Sequence, residues 1–267
     1  MQQKNARRVA FAAQFRDAIE RSEFLLFYQP QINISDGSVA GMEALLRWQH
    51  PDHGLLTPAD FLEALEGSHY DIPVGRFVVD TAVRQASAWH RAGMSTRISI
   101  NVSSAQVHGE ELIAVLDEAL DQHGLPAPLL EVEITERVAL GGSENVQRIL
   151  SDISTRGVSI AFDDFGTGYA SLSSLTRFPI DTVKVDKTFV SGLEGDLPKQ
   201  KLLGGLIGLC QQLGCGVIAE GVETGEQEAF LREHGCPVAQ GYYYRRPLSA
   251  DAADFFLRRQ ASLRSIS

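Results

Sequence analysis

The sequence feature that most constrains the fold is the alternation of short apolar runs with longer helical patterns along 267 residues. Runs with the composition of β-strands cover residues 24–34, 39–48, 97–103, 129–135, 158–163, 180–185, 216–220 and 237–243. Helical patterns occupy most of the intervals between them. Strands that alternate with helices indicate βαβ units, and eight strands in about 250 residues favour a closed barrel over a doubly wound sheet.

The connection between the first two strands differs from the others. Only the turn sequence SDGS (35–38) separates them, and it is too short for the crossover that parallel neighbours need. The sequence therefore predicts an α/β protein, a TIM-like (β/α)8 barrel with one antiparallel strand, strand 1. We expect an N-terminal lead-in over residues 1–10, the barrel over 11–260 and a C-terminal tail over 261–267.

Composition narrows the classes of ligand and compartment. The formal net charge is -10, from 24 basic and 34 acidic residues, so duplex nucleic acid would meet a repulsive field and is not expected as a partner. The three cysteines, Cys210, Cys215 and Cys236, are an odd number, which argues against a disulfide framework and for a reducing compartment. No run approaches about 18 uninterrupted apolar residues. We expect a cytoplasmic chain without a membrane span, although a longer parent protein could be anchored elsewhere.

Polar side chains recur at alternate positions of the predicted strands. In RISINVSS (97–104), Ile98 and Ile100 alternate with Ser99 and Asn101, so the two sets face opposite sides of the strand. Similar polar residues fall toward the C-terminal part of other strands, where the active sites of such barrels lie. The set comprises Glu43, Asn101, Glu133, Asp163, Asp164, Lys184, Glu220 and Gln240.

Five members of this set are carboxylates, and gathering that many like charges costs free energy unless cations lie between them. All-oxygen ligation without nearby histidine or cysteine suits Mg²⁺ or Mn²⁺, and the number of acids favours two ions. Two such ions can clamp the attacking and leaving oxygens of a phosphodiester. In AFDDFGTGY (161–169), Asp163 is expected to bridge the ions and Asp164 to hold the second.

Taken singly, several of these features have simpler explanations. Two aspartates before a glycine-rich stretch are more often turn chemistry than a metal site. His50 and His53 in HPDHG are better explained by a turn than by metal binding, and YYYRRP (242–247) fits a solvated strand end at least as well as a guanine platform. The recurrence of polar residues on separate strands favours the joint site, because turn chemistry does not require it.

The motifs together resemble those of one known family. In chain order they are EALLR (43–47), NVS (101–103), EITE (133–136), DDFGTG (163–168), KVD (184–186), EGVE (220–223) and QGYYY (240–244). This series resembles that of the EAL-domain cyclic di-GMP phosphodiesterases, over about residues 11–256. The resemblance implies hydrolysis of cyclic di-GMP to linear pGpG.

The resemblance also implies two sets of metal ligands. Those of the first ion are Glu43, Asn101, Glu133 and Asp163. Those of the second ion are Asp163, Asp164 and Glu220. Lys184 is implied to hold the nucleophilic water or to stabilise the charge of the phosphorane, and Glu220 to serve also as a candidate general base.

Further residues are implied to contact the substrate or to support a loop. Arg47 is expected to contact a phosphate oxygen with Gln29 nearby, and Gln240 to support the second ion and the substrate. Glu136 and Glu223 resemble the supports of the loop that follows the aspartate pair.

The resemblance implies partners as well. The loop over residues 164–172 is where the family couples dimer contacts to activity, so a homodimer is expected, and sensory or GGDEF domains are expected upstream in a longer protein. Because every implied metal ligand is present, the sequence favours an active enzyme. A catalytically silent cyclic di-GMP receptor and a barrel acting on another phosphoester remain alternatives.

Overall fold

The strands of the computed structural model lie close to the predicted runs. The structure describes residues 11–109, 111–135, 138, 144–166 and 172–264. Its strands are β1 (Phe24–Asn33), β2 (Val39–His50), β3 (Gly54–Leu56), β4 (Arg97–Asn101), β5 (Leu130–Thr135), β6 (Ser159–Phe165), β7 (Thr182–Val185), β8 (Gly216–Ala219) and β9 (Val238–Ala239).

Eight of these strands close into a barrel. Hydrogen-bonded neighbours run from β1 through β9, β8, β7, β6, β5 and β4 to β2, and β2 pairs with β1 to complete the circle. β1 is antiparallel to both of its neighbours, whereas all other neighbouring pairs around the barrel, from β2–β4 to β8–β9, are parallel. Gly37, in the turn between β1 and β2, has a φ of 71°, which glycine adopts without steric cost. The predicted barrel with a reversed first strand is therefore confirmed.

Helices connect most of the strands and surround the barrel. They are α1 (Phe15–Glu20), α2 (Pro58–Glu66), α3 (Asp71–Arg91), α4 (Ser104–His108), α5 (Leu112–His123), α6 (Glu144–Thr155), α7 (Leu172–Arg177), α8 (Lys187–Val190), α9 (Leu197–Gln212), α10 (Gly225–Glu233) and α11 (Ala250–Arg264). The helical segment between β4 and β5 is divided into α4 and α5, because Gly109 has the extended backbone angles φ -76° and ψ 158°. None of the described helices combines the length and the apolar character that a bilayer crossing requires.

Two strands differ from the prediction. β3 follows the turn expected in HPDHG and pairs antiparallel with β2, placing Leu56 opposite Trp48. β9 is only two residues long, because the chain turns at Gly241, where an added Cβ would lie 2.1 Å from the carbonyl oxygen of Val222. This close approach requires glycine, and it holds Gln240 beside the end of β8.

Alternate side chains of the central strands divide between the barrel interior and the layer beneath the helices. Ile98, Ile100 and Val183 are inaccessible to solvent and belong to the main apolar core. Glu133 and Lys184 are equally inaccessible, but they form an ion pair with each other inside the barrel. The helix layer thus buries the apolar surface, and the interior is left to polar groups near one end.

A second apolar cluster joins the N-terminal helix to the barrel. Phe15 of α1 is inaccessible to solvent, and its ring centroid lies 5.3 Å from that of Trp48 and 6.3 Å from that of Phe24. We expect Phe15→Ala to lower the free energy of unfolding by about 3–5 kcal/mol, because it leaves a cavity among packed rings. Urea denaturation measures this change.

The matched control lies on the same helix. Ile19 is 37% exposed, so Ile19→Ala should cost less than about 1 kcal/mol. Equal losses for the two variants would show that the Phe15 ring contributes no particular stability.

Candidate active site

The polar residues predicted from the strands meet at the C-terminal end of the barrel. Asn101 ends β4, Glu220 and Gln240 directly follow β8 and β9, and Asp163 lies near the end of β6. A cavity of about 300 Å³ opens there, and Glu43 and Glu223 also line it. We call the five carboxylates of this region the acidic cluster; its members are Glu43, Glu133, Asp163, Asp164 and Glu220.

Lys184 lies at the centre of the acidic cluster. Its Nζ is 2.7 Å from Glu133 Oε2 and 2.8 Å from Glu220 Oε1. The same atom is 3.2 Å from Asp163 Oδ1 and 3.4 Å from Glu43 Oε1. Burial would lower the pKa of Lys184, but the surrounding carboxylates raise it well above its usual value, so the ammonium group stays charged.

Side-chain amides fix the orientation of Glu43. Asn101 Nδ2 donates to Glu43 Oε1 at 2.9 Å, and Gln240 Nε2 donates to Glu43 Oε2 at 2.5 Å. Gln240 Nε2 also donates to Gln29 Oε1 at 3.1 Å, and Gln29 Nε2 donates to the carbonyl of Arg245 at 3.0 Å. Three strands (β1, β2 and β4) and the segment after β9 are thereby joined around one carboxylate.

The adjacent aspartates reach the same place because β6 is irregular. In a regular strand, Asp163 and Asp164 would point to opposite faces. Pairing of β6 with β7 shifts register between Phe162 and Phe165, and Asp164 has a φ of 53°. One carboxylate oxygen from each of Asp163, Asp164 and Glu220 lies within 4.8 Å of the other two.

The acidic cluster has an excess of negative charge that bound cations would neutralise. Five carboxylates face the single ammonium of Lys184, which leaves four formal negative charges if all are ionised. Burial raises the pKa of Glu220 to about 8, although Lys184 opposes the shift, and burial and the neighbouring Glu43 raise the pKa of Glu133. For Glu43, burial would raise the pKa, but Lys184 and the amide hydrogen bonds lower it overall.

Two buried oxygens test the fit to a metal directly. Within the described part of the chain, Glu133 Oε1 and Gln240 Oε1 are buried and accept no hydrogen bond. A buried acceptor without a donor costs free energy unless it has another partner. Unsatisfied oxygens beside clustered carboxylates form a donor set of the kind that hard divalent cations prefer, so the residues present fit such ions.

The remaining predicted residues have more varied positions. Arg47 is buried, its Nη1 donates to the carbonyl of Leu46 at 2.8 Å, and its guanidinium lies 5.5 Å from the ring centroid of Phe27. Glu223 lines the cavity together with Lys187. Glu136 and residues 167–171, which include most of the predicted coupling loop, lie outside the described residues.

Two residues near the site were not predicted from the sequence. Lys187 follows the KVD motif and lines the 300 Å³ cavity, and its charge at a strand end was the signal that could have indicated it. Asp71 is buried and its carboxylate accepts a hydrogen bond from Ser103. Asp71 lies in none of the predicted strands, so no strand pattern could have drawn attention to it.

The sequence is similar to a known domain family and to several proteins that contain this domain. The EAL domain model matches residues 12–247. Cyclic di-GMP phosphodiesterase PdeR of Escherichia coli is 35% identical over 91% of this chain and 37% of its own length. Cyclic di-GMP phosphodiesterase NbdA of Pseudomonas aeruginosa is 37% identical over 92% of this chain and 31% of its own. The chain thus spans about a third of the length of these relatives.

A solved structure extends the comparison to three dimensions. A structure described as the PaMucR phosphodiesterase in complex with c-di-GMP has a TM-score of 0.86 and 37% sequence identity. The match covers 90% of this chain and 97% of that one.

Proposed function

Since the chain belongs to the EAL domain family, we propose that it is a metal-dependent phosphodiesterase that hydrolyses cyclic di-GMP to linear pGpG, thereby lowering the level of this second messenger. The observation that carries the proposal is the convergence of four of the five carboxylates of the acidic cluster on Lys184 at the C-terminal end of the barrel. Relatives named as cyclic di-GMP phosphodiesterases and a related phosphodiesterase complexed with c-di-GMP support the choice of substrate.

The proposed cofactors are two Mg²⁺ or Mn²⁺ ions. The ligands of the first are Glu43, Asn101, Glu133 and Asp163. The ligands of the second are Asp163, Asp164 and Glu220. When bound, such ions lower the pKa of a coordinated water and stabilise charge on the phosphoryl oxygens.

The chain's own residues would then orient and deprotonate the attacking group. Lys184 holds four carboxylates in place through contacts of 2.7–3.4 Å, and its positive charge stabilises the negative charge that develops on the phosphorane oxygens. Glu220 contacts Lys184 and is the proposed general base. The amides that bind Glu43 keep that carboxylate from rotating, so little reorganisation is needed during the reaction.

Substrate binding is assigned to the surrounding polar residues. We place Gln29 and Gln240 beside the reacting phosphodiester and Arg47 at a phosphate oxygen, with Glu223 and Glu136 as supports of the loop that follows Asp164. A homodimer, upstream sensory or GGDEF domains and a cytoplasmic location complete the proposal for a longer protein.

Incubation with cyclic di-GMP and Mg²⁺, followed by chromatography of the products, tests the proposal. The enzyme should release pGpG. A silent receptor would bind cyclic di-GMP but leave it intact at saturating protein, and a phosphoesterase with another substrate would neither bind nor convert it. Either outcome would overturn the proposed activity.

Calcium should inhibit the enzyme although it binds. Ca²⁺ is larger than Mg²⁺ and accepts loose, variable coordination, so it would misplace the nucleophile relative to phosphorus. We expect turnover in the presence of Mg²⁺ to fall as Ca²⁺ is added, with Mn²⁺ additions at the same concentration as the control. The measurement is product release over time. Full activity with Ca²⁺ alone would contradict the two-ion assignment.

A further inference from the structure

We infer that Asp71 is a specificity-determining residue that reads the hydrogen-bonding edge of a guanine base of the substrate. This inference rests on the proposed function and concerns a part of the site that the acidic cluster does not include. We call the cavity concerned the base groove; it lies between α2, α3, the middle of β2 and the end of β4, and Leu46, Leu62, Leu65, Asp71 and Val74 contribute to its wall.

The base groove is continuous with the reaction centre. Its volume is about 320 Å³, within the range typical of small-molecule sites. Glu43, Asn101 and Asp163 line one end, and side chains of α2 and α3, apolar except for Glu66 and Asp71, line the other. A nucleotide whose phosphodiester lies at the acidic cluster can therefore place its flat base between these apolar walls.

Asp71 is an unusual residue in such surroundings. It is only 5% exposed and forms no ion pair with any described residue. Its Oδ2 accepts a hydrogen bond from the Ser103 hydroxyl at 2.9 Å. Burial raises the pKa of its carboxyl group, although Ser103 opposes the shift. A buried acceptor with so little compensation suits a ligand that supplies donors.

Ser103 and Gln106 hold the Asp71 carboxylate in position. Ser103 N donates to Gln106 Oε1 at 3.0 Å, and Gln106 N donates to Ser103 Oγ at 3.3 Å. Gln106 in turn packs against Gly75, where an added Cβ would lie 2.2 Å from Gln106 Nε2. The acceptor is therefore fixed before the ligand binds, which reduces the entropy cost of recognition.

Guanine matches this acceptor and adenine does not. Guanine presents two adjacent donors on its pairing edge, the N1–H and the 2-amino group, and a carboxylate can accept from both. Adenine presents an unprotonated N1 and has no 2-amino group. The carboxylate would then receive no hydrogen bond, and the N1 acceptor of adenine would face it and repel it. Sites built around such hydrogen bonds reject analogues that lack the donor.

The test compares Asp71→Asn with Asp80→Asn, the same change at a half-exposed position of α3 that pairs with His123 and Arg84. Binding of cyclic di-GMP and cyclic di-AMP is measured by calorimetry with Ca²⁺, and kcat and KM are measured with Mg²⁺. Asp71→Asn should weaken binding of cyclic di-GMP on the order of 100-fold and change binding of cyclic di-AMP little. KM should rise more than kcat falls, and Asp80→Asn should leave the preference intact.

Other outcomes would overturn the inference. An unchanged ratio of the two affinities in Asp71→Asn would mean that Asp71 only stabilises the first turn of α3. A lower thermal melting temperature without a change in preference would lead to the same conclusion. If the wild-type protein neither binds nor hydrolyses cyclic di-GMP, the proposed function fails together with the inference. If the wild-type protein prefers cyclic di-GMP and the variant does too, only the inference fails.

Discussion

Glu43→Ala should lower kcat for cyclic di-GMP by at least about 1,000-fold, since loss of a metal ligand removes several kcal/mol of charge stabilisation in the transition state. Glu43 is the carboxylate on which Asn101, Gln240 and Lys184 converge, so its removal also releases two amide donors. The measurement is pGpG formation at saturating Mg²⁺ and substrate. Turnover within a few-fold of the wild-type value would rule out the proposed first metal site.

Two further variants separate chemistry from folding. Glu43→Gln keeps the size of the side chain and its ability to accept a hydrogen bond, and it should be nearly as inactive as Glu43→Ala because the ligand charge is lost. Glu233→Ala, at an exposed position at the end of α10, should retain full activity. A low activity in all three variants would point to instability of the protein instead.

Lys184→Met should destabilise the metal-free protein by about 3–5 kcal/mol, because removing one partner of a buried ionic network leaves the other charges uncompensated. Lys184 is fully buried and contacts four carboxylates. Urea denaturation in the presence of EDTA measures the loss. Turnover should be lost as well, because the charge that favours the transition state is gone.

The stability of Lys184→Met should depend on divalent ions. An ion that binds the folded state stabilises it by about 2.7 kcal/mol at 100 times its dissociation constant, so Mg²⁺ or Mn²⁺ should restore much of the stability of Lys184→Met. Lys201→Met, at an exposed position of α9, should behave like the wild type under both conditions. Equal stability of Lys184→Met and the wild type in EDTA would mean that the charge of Lys184 is not needed to keep the acidic cluster buried in the folded protein.

The sequence predicted the parts of this protein that depend on local periodicity. Alternation of strands and helices indicated the barrel, and the short SDGS turn indicated the reversed strand, because neither requires knowledge of distant contacts. The period of two within RISINVSS separated Ile98 and Ile100 from Asn101, and these apolar residues are buried in the core as expected. The sequence also predicted that the polar strand-end residues meet at one end of the barrel, because parallel strands run in one direction.

The site depends on features that a strand pattern cannot express. The bulge that directs both Asp163 and Asp164 toward Glu220 results from pairing between β6 and β7. The placement of Asp71 in the base groove results from packing of α3 against β4 and α4.

The sequence alone determined which elements form and which of their faces are polar, because backbone geometry repeats over a few residues. Only the tertiary structure decided that Lys184 contacts four acids and that Asp71 faces an apolar groove. Those distances arise where elements far apart in the chain close on one another, and closure is a property of the whole barrel.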